Sequence, residues 1–332
     1  MRKLLSVLSA CLIAGSAAFA DSYPERDITN VVVWSAGGGT DVSNRVVSAE
    51  MAKALGVNIN VINKPGGVAG SIGMSFVAKK PADGYTLVGL SESCVTAGVQ
   101  GGWDQKMDIW YPFIIGGSPD LISVTVSSPY QTLDDLVAAA KKDPRSIKAA
   151  AGGAGSIHHL NLLAFMKGTG AEFNFIPYAG SAPAQTAAMT GEVTVVVTSL
   201  AEQQQLLKGG KLRALATLTQ EGQTLEGVGE IPLAFASYPD LTQYLPISQA
   251  IGMAVLNDTP DPIKAKLSDA FSQALASDAV KEWATTNYYL LSGKTGEEAR
   301  EEFAKLESLF GWTLHELNAA KVDPATLGIP RP

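Results

Sequence analysis

Short apolar blocks along this chain alternate with longer stretches in which apolar residues recur every three or four positions. The blocks predict strands over 28–33, 58–63, 86–90, 113–116, 121–126, 147–151, 173–177, 193–198, 212–218 and 251–256. Between them, 40–55 reads as a helix because Val42, Val46, Val47 and Met51 share a face, and 70–80 as a shorter one. Thr132 and Asp135 form a capping-box pattern ahead of the apolar run 136–140. Three helix patterns close the chain, near 262–276, 279–287 and 296–319. The span 91–112 is irregular, and 222–246 is rich in Pro and Gly.

This alternation predicts an α/β fold in which mostly parallel sheets are flanked by helices on both faces. A second strand–glycine–helix unit, 149–164, echoes the first, which suits two lobes with a ligand cleft between them. The first lobe is short of helices and the last helices need a sheet to cover. The chain is therefore expected to return to lobe one near Ile247. The organisation expected is 21–122 with 248–332 as lobe one and 123–247 as lobe two.

Residues 1–20 stand apart. Arg2 and Lys3, the apolar stretch 4–18 and Ala18-Phe19-Ala20 make a Sec-type signal peptide, with cleavage expected after Ala20. Leu8-Ser9-Ala10-Cys11 also matches a lipoprotein box, but cutting there leaves an apolar core at the lower limit of length. Cleavage after Ala20 leaves 312 of the 332 residues and removes two cations, taking the formal charge from −7 to −9. An acidic surface argues against nucleic acid and anionic lipid as partners. Only Cys94 remains, so no intramolecular disulfide forms, which fits a bacterial periplasm for a core of this size. No later apolar run approaches the ~20 residues of a membrane span. A soluble periplasmic monomer is expected.

Candidate chemistry concentrates in three glycine-rich corners. Trp34-Ser35-Ala36-Gly37-Gly38-Gly39-Thr40-Asp41 joins the first strand to the first helix. Such a turn lets a ligand approach the backbone, and the free N–H groups and dipole of the first helical turn favour an anion. It has no lysine, so it is not a P-loop, and Val42 breaks the dinucleotide fingerprint. A tight turn with Thr40 or Asp41 as helix cap is the structural alternative. The second corner, Gly152-Gly153-Ala154-Gly155-Ser156-Ile157-His158-His159, adds the Ser156 hydroxyl. Its adjacent histidines point about 100° apart on a helix and do not easily share a metal. Neither a metal nor a cofactor is expected, and a histidine that caps or packs beside the cleft is an equal reading. In the third, Ile176-Pro177-Tyr178-Ala179-Gly180-Ser181-Ala182-Pro183, Tyr178 suits a cleft wall and Ser181 a donor or a cap. Trp34, Trp103 and Trp110 suit either core or pocket, and only Trp34 is placed by its neighbours at a sheet's ligand end. Catalysis has little support. No Ser sits in G-x-S-x-G, no paired acids stand out, and Ser156 with His159 has a capping offset.

Four stretches together resemble the Bug-type, TctC-like receptors, the substrate-binding proteins of tripartite tricarboxylate transporters. They are Ala36-Gly37-Gly38-Gly39-Thr40-Asp41, then Asn63-Lys64-Pro65-Gly66 with Gly70 and Gly73, then Pro81-Ala82-Asp83-Gly84-Tyr85-Thr86-Leu87, then Ile176-Pro177-Tyr178 with Gly180, Pro183 and Gly191. Gly155-Ser156 followed by His159-Leu160 is a weaker match. The resemblance implies a two-lobed periplasmic binding protein of type II-like fold that closes on a small carboxylate-bearing ligand. It also implies carboxylate contacts from the Gly38, Gly39 and Thr40 backbone, Ser156 and Ser181, with Trp34 and Tyr178 as walls. His159 matches the family's histidine, with Gly155 in the same loop. The chain departs at Trp34, at Ala179 where a base is common, and at Thr194 where Asp is usual. The loss of the base weakens a tricarboxylate. Ser91-Glu92-Ser93 has no counterpart; Glu92 there reads either as recognising a cationic or hydroxyl group or as a solvated loop charge.

The function expected is capture of a small carboxylate solute by lobe closure and delivery to the transporter's membrane permease subunits. A receptor feeding a sensor kinase and a periplasmic enzyme acting on a carboxylic acid are the alternatives.

Overall fold

The computed structural model describes residues 22–332 except 244 and 246–248, so the signal segment, its Ala20 and Cys11 sites, and the return at Ile247 lie outside the described residues. The chain runs β1 (Ile28–Val32), α1 (Gly39–Leu55), β2 (Ile59–Asn63), α2 (Ser71–Val77), β3 (Thr86–Leu90), β4 (Trp110–Gly117) and β5 (Asp120–Thr125). It continues through α3 (Leu133–Lys142), β6 (Lys148–Ala150), α4 (Ile157–Thr169), β7 (Asn174–Ile176), α5 (Ser181–Met189), β8 (Val195–Ser199), α6 (Leu200–Lys208) and β9 (Leu212–Thr217). The hairpin β10 (Gln223–Leu225) and β11 (Gly229–Ile231) and the short α7 (Ala234–Ser237) follow. The last elements are β12 (Ile251–Leu256), α8 (Asp261–Ala276), α9 (Asp278–Thr286), β13 (Leu290–Leu291) and α10 (Gly296–Glu316).

Two sheets result, ordered β13-β4-β12-β3-β1-β2 and β7-β6-β8-β5-β9. They share one plan. In the first, β1 pairs parallel with β2 and β3, and β12 runs antiparallel between β3 and β4. In the second, β6 pairs parallel with β7 and β8, and β5 runs antiparallel between β8 and β9. Each antiparallel strand enters its sheet just after the chain has crossed from the other one. The first crossing is the short span between Gly117 and Asp120.

Strands with helices on both faces are buried on both, which is why β5 and β8 read as apolar blocks without alternation. The edge strand β2 alternates between half-buried and exposed positions instead. Strand β4 begins at Trp110, three residues before the apolar block predicts, and runs through Pro112. Proline is tolerated there because β13 pairs only with Gly116 and Gly117, leaving β4 an edge at that point. The capping box at α3 forms as expected: Thr132 Oγ1 accepts from the Asp135 N–H and Asp135 accepts from the Thr132 N–H. On α8, Ile263, Leu267, Ala270, Phe271 and Ala274 make the buried stripe, packed with Phe113 and Met253 of the first sheet. Burying a side chain the size of Leu or Phe contributes about 1.5–3 kcal/mol, so this stripe fixes the C-terminal helices on the first sheet.

The two sheets are closed against each other. One apolar cluster runs from Val31 and Leu90 through Trp34 and Ile157 to Ile122 and Val197. Backbone bonds Ser35 N–H to Ala179 O (3.3 Å) and Ala69 N–H to Ala154 O (3.3 Å) also cross. Trp103 and Trp110 stack on each other within the core of the first sheet, 6.4 Å between centroids. No helix of the described residues is long and apolar enough to cross a membrane.

Candidate functional site

In an open α/β sheet the loops beyond the carboxyl ends of the strands form the ligand crevice. Here the loops after β1 and β3 meet those after β6, β7 and β8 around a cavity of about 30 Å³. One water needs about 10–15 Å³ of such space, so the closed cleft leaves room for a compact group.

The loop after β1 turns at Gly37, whose φ of +82° belongs to the left-handed region that glycine adopts without strain. Its N–H donates to Asp41 Oδ2 at 2.9 Å, and Asp41 also accepts from Arg45 and Asn63. Burial acts against the Asp41 charge, but these three donors outweigh it and hold the carboxyl below its ordinary range. Asp41 thus clamps the loop from behind. The N-cap of α1 is Gly38, with no side-chain cap. The Gly39 N–H, a predicted anion donor, gives a 2.6 Å hydrogen bond to Glu202 Oε1 from the opposite sheet. Trp34 Nε1 donates to Ser91 Oγ at 3.3 Å, which leaves the Ser91 O–H to donate elsewhere.

After β3 the chain makes a 3₁₀ turn, Glu92–Thr96, that carries Glu92 into the cavity wall at 1 % exposure. Glu92 accepts from the Ala250 N–H at 2.7 Å and from Ser93 Oγ at 2.7 Å. Burial pushes its carboxyl upward despite these donors. Ser93 Oγ in turn accepts from the Ile157 N–H at 2.9 Å, joining this turn to the start of α4.

Ser156 is the N-cap of α4: its hydroxyl accepts from the His159 N–H and donates to Ala151 O. His158 is buried, with Nδ1 2.8 Å from Asp120 Oδ2 and Nε2 3.5 Å from Glu202 Oε2. Burial alone lowers a histidine, but the Asp120 charge and hydrogen bond, with Glu202 and Glu92 behind, carry His158 up to about 9. His159 takes the other course. Its Nδ1 accepts from the Gly155 N–H at 3.2 Å, its ring stacks 3.9 Å from that of Phe175, and burial pushes it down to about 4.

Of the predicted site residues, Trp34, Gly38, Gly39 and Thr40 line the cavity from the first corner, and Ser91 and Glu92 from the β3 end. Ser156 and Ser181 line it from the second sheet. Gly155, His159 and Tyr178 lie outside its wall. Gly155 O accepts from Thr96 Oγ1 at 2.6 Å across the cleft, and the Tyr178 phenol turns to Glu192 Oε1 at 2.8 Å. Sequence reasoning missed His158, Gln249 and Glu202, which also line the cavity. Glu202 was visible as a capping box, Ser199-Leu200-Ala201-Glu202, directly after the strand block 193–198. In the fold its Oε2 accepts from the Ser199 N–H and hydroxyl, both at 3.0 Å. Among the described residues, no three His, Cys, Asp or Glu side chains are placed to share a metal ion.

A family described as "Tripartite tricarboxylate transporter family receptor" matches residues 43–291. Protein BugT of Bordetella pertussis (strain Tohama I) is 32 % identical over 294 residues, covering 85 % of this chain and 87 % of BugT. The solved periplasmic binding protein BugD superposes with a TM-score of 0.82 at 23 % identity, over 90 % of this chain and 99 % of BugD. R. palustris Rpa4515 with adipate superposes with a TM-score of 0.80 at 25 % identity, over 90 % and 99 % of the two chains. The two-lobed architecture derived above is the one these binding proteins share, and by the extent of the match to its sequences the chain belongs to the tripartite tricarboxylate transporter receptor family of solute-binding proteins.

Proposed function

We propose that this protein is an exported periplasmic receptor, freed by cleavage after Ala20, that captures a small carboxylate-bearing solute by lobe closure. It then presents the solute to the permease subunits of a tripartite tricarboxylate-type transporter and performs no chemistry on it. The lobes are those expected, 21–122 with 248–332 and 123–247, with the first boundary drawn back to the crossing before Asp120 because all of β5 pairs within the second sheet. The observation that carries this reading is the convergence of three helix N-termini, those of α1, α4 and α5, on one cavity between the sheets. First-turn N–H groups have no partner within their own helix and attract an anion. The Thr40 and Ser181 backbone and the Ser91 and Ser181 hydroxyls are the proposed carboxylate donors, with Trp34 as a wall. Support from outside the chain comes from Rpa4515, solved with adipate.

Closure needs a ligand that prefers the closed form. Micromolar capture takes about 8 kcal/mol, within reach of several charge-assisted bonds at roughly 1.5–3 kcal/mol each after ordering costs. The test is calorimetry against a panel of small carboxylic acids, with wild type and Gly38→Val. A Cβ at Gly38 meets only ordinary contacts, 3.5 Å from Ser35 O and 3.8 Å from Glu202 Oε1, so the fold tolerates it. Its methyl groups close off the N–H donors, and at least a tenfold loss of affinity is expected. Unchanged affinity removes the first corner from the site.

A further inference from the structure

The cavity holds more acid than a receptor for a simple anion needs. Among the described residues that line it, the charged side chains are Glu92, Glu202 and His158; no Lys or Arg is among them. His158 is already committed, bonded to Asp120 at 2.8 Å and facing Glu202 at 3.5 Å. Glu202 fills one N–H of the anion corner with the protein's own carboxylate, through the 2.6 Å bond from Gly39. A ligand carboxylate entering here finds one donor taken and two acids in the wall, Glu92 buried and Glu202 with its side chain 6 % exposed. A second ligand carboxylate would face no Lys or Arg.

The helix N-termini around the cavity each lend about half a positive charge, and the imidazolium of His158 adds one. Against them stand Asp120 and Glu202, with Glu92 beside them, its carboxyl pushed upward by burial. The positive character of the site lies at the corner backbones, and its side-chain acceptor oxygens lie at Glu92 and Glu202. A separated pair of opposite charges is what complements such a wall. A like-charge contact among buried side chains is opposed far more strongly than in solution. The cleft itself does not rest on these acids: it lies between the sheets of a solute-binding fold, and a relative of the same fold has been solved with adipate.

Resting on the receptor reading, we infer that the solute is a compact zwitterion, whose cationic nitrogen is read by Glu92 and Glu202 while its carboxylate takes the free backbone donors of the α1 and α5 corners. The small cavity sets the size, and the two glutamates set the charge. This assigns to the chain a substrate class different from the dicarboxylate found in Rpa4515.

The experiment is calorimetry on the wild-type protein with four small probes that differ in charge: β-alanine, propionate, succinate and ethylamine. The inference expects β-alanine to bind at least tenfold more tightly than the other three. It also expects Glu92→Gln and Glu202→Gln, checked for folding by circular dichroism, each to weaken β-alanine at least tenfold more than it weakens propionate. The use of two variants covers the case in which one fails to fold. Tighter binding of succinate or propionate than of β-alanine overturns the inference and leaves the receptor reading standing. So does β-alanine affinity that survives both substitutions. Absence of binding by all four probes and by the wider acid panel overturns the receptor reading and this inference with it.

Discussion

The Trp34 ring and the Gly153 backbone touch across the cleft: a Cβ built on Gly153 falls 3.2 Å from Trp34 Cζ3 and 3.4 Å from Tyr178 O. Trp34 follows β1 and Gly153 follows β6, so this contact measures lobe closure directly. Gly153→Val adds two further methyl groups where there is barely room for one. Separation of the two sheets relieves the contact with Trp34, while Tyr178 O, on the same side as Gly153, sits at ordinary contact distance. A compact chain of this length has a radius of gyration of about 20 Å. Small-angle scattering is expected to show the variant larger than wild type by roughly 1 Å, on the same scale. Equal radii would show that the cleft absorbs the side chain without opening.

Gly70 belongs to the motif with Asn63-Lys64-Pro65-Gly66, and the fold explains why glycine stands there. Its φ is +76°, and a Cβ would sit 2.5 Å from Val33 Cγ2, inside the core of the first sheet. Left-handed backbone costs a non-glycine residue about 1–2 kcal/mol, and overpacking a core adds about 1–3 kcal/mol. Gly70→Ala is therefore expected to lower the unfolding free energy by about 2–5 kcal/mol in urea denaturation. Gly56 is the control. It has φ +72° but nothing within 4 Å of the added Cβ, so Gly56→Ala should lose only about 1–2 kcal/mol. Equal losses at the two sites would remove the packing argument.

The strand blocks were legible because strands buried on both faces leave continuous apolar runs, as in β5 and β8. Their direction was not. Nothing in the residues 251–256 tells that β12 enters between β3 and β4 antiparallel to both, since pairing direction leaves no mark on the hydrophobic pattern. The two-residue β13 and the hairpin of β10 and β11 are too short to show a period. Among the cavity-lining residues, those placed by backbone geometry at strand ends, such as Gly38 and Ser181, could be read in advance. Side-chain direction could not. His158 and His159 are neighbours in sequence, yet one faces the cavity and the other stacks on Phe175. Helical phase decides this, and the phase depends on where Ser156 caps the helix.

Asp120 starts β5 at the crossing between sheets and binds both His158 and Asn161, whose Nδ2 donates at 2.7 Å. Both partners are on α4, so the carboxylate pins that helix to the sheet. Removing one member of a buried pair leaves the other uncompensated, at a cost of about 3–5 kcal/mol. Asp120→Asn is expected to lose about 3 kcal/mol in chemical denaturation, because the amide oxygen still serves Asn161. His158→Gln should also destabilise, and the double variant should be less damaged than the two single losses combined. Additive losses would mean that the two groups do not interact in the folded protein.

The two histidines titrate in opposite directions, and their effects on stability can be signed. His158 is raised from 6.5 to about 9, so the folded state holds its proton more tightly. Its contribution is fully present below 6.5 and is lost as pH rises through about 9. His159 is lowered from 6.5 to about 4, so the folded state resists its protonation. Its contribution is fully present above 6.5 and is lost as pH falls through about 4. Together they predict stability that peaks near neutrality and falls on both sides, with a different residue responsible for each limb. Thermal denaturation from pH 4 to pH 9 is the measurement. His158→Gln should flatten the alkaline limb and leave the acid limb, while His159→Phe, which keeps the stack on Phe175, should do the reverse. Nitrogen-15 NMR of the imidazoles should find His158 still protonated above pH 8. A neutral His158 at pH 7 would dissolve the ion pair with Asp120 and with it the assigned origin of the alkaline limb.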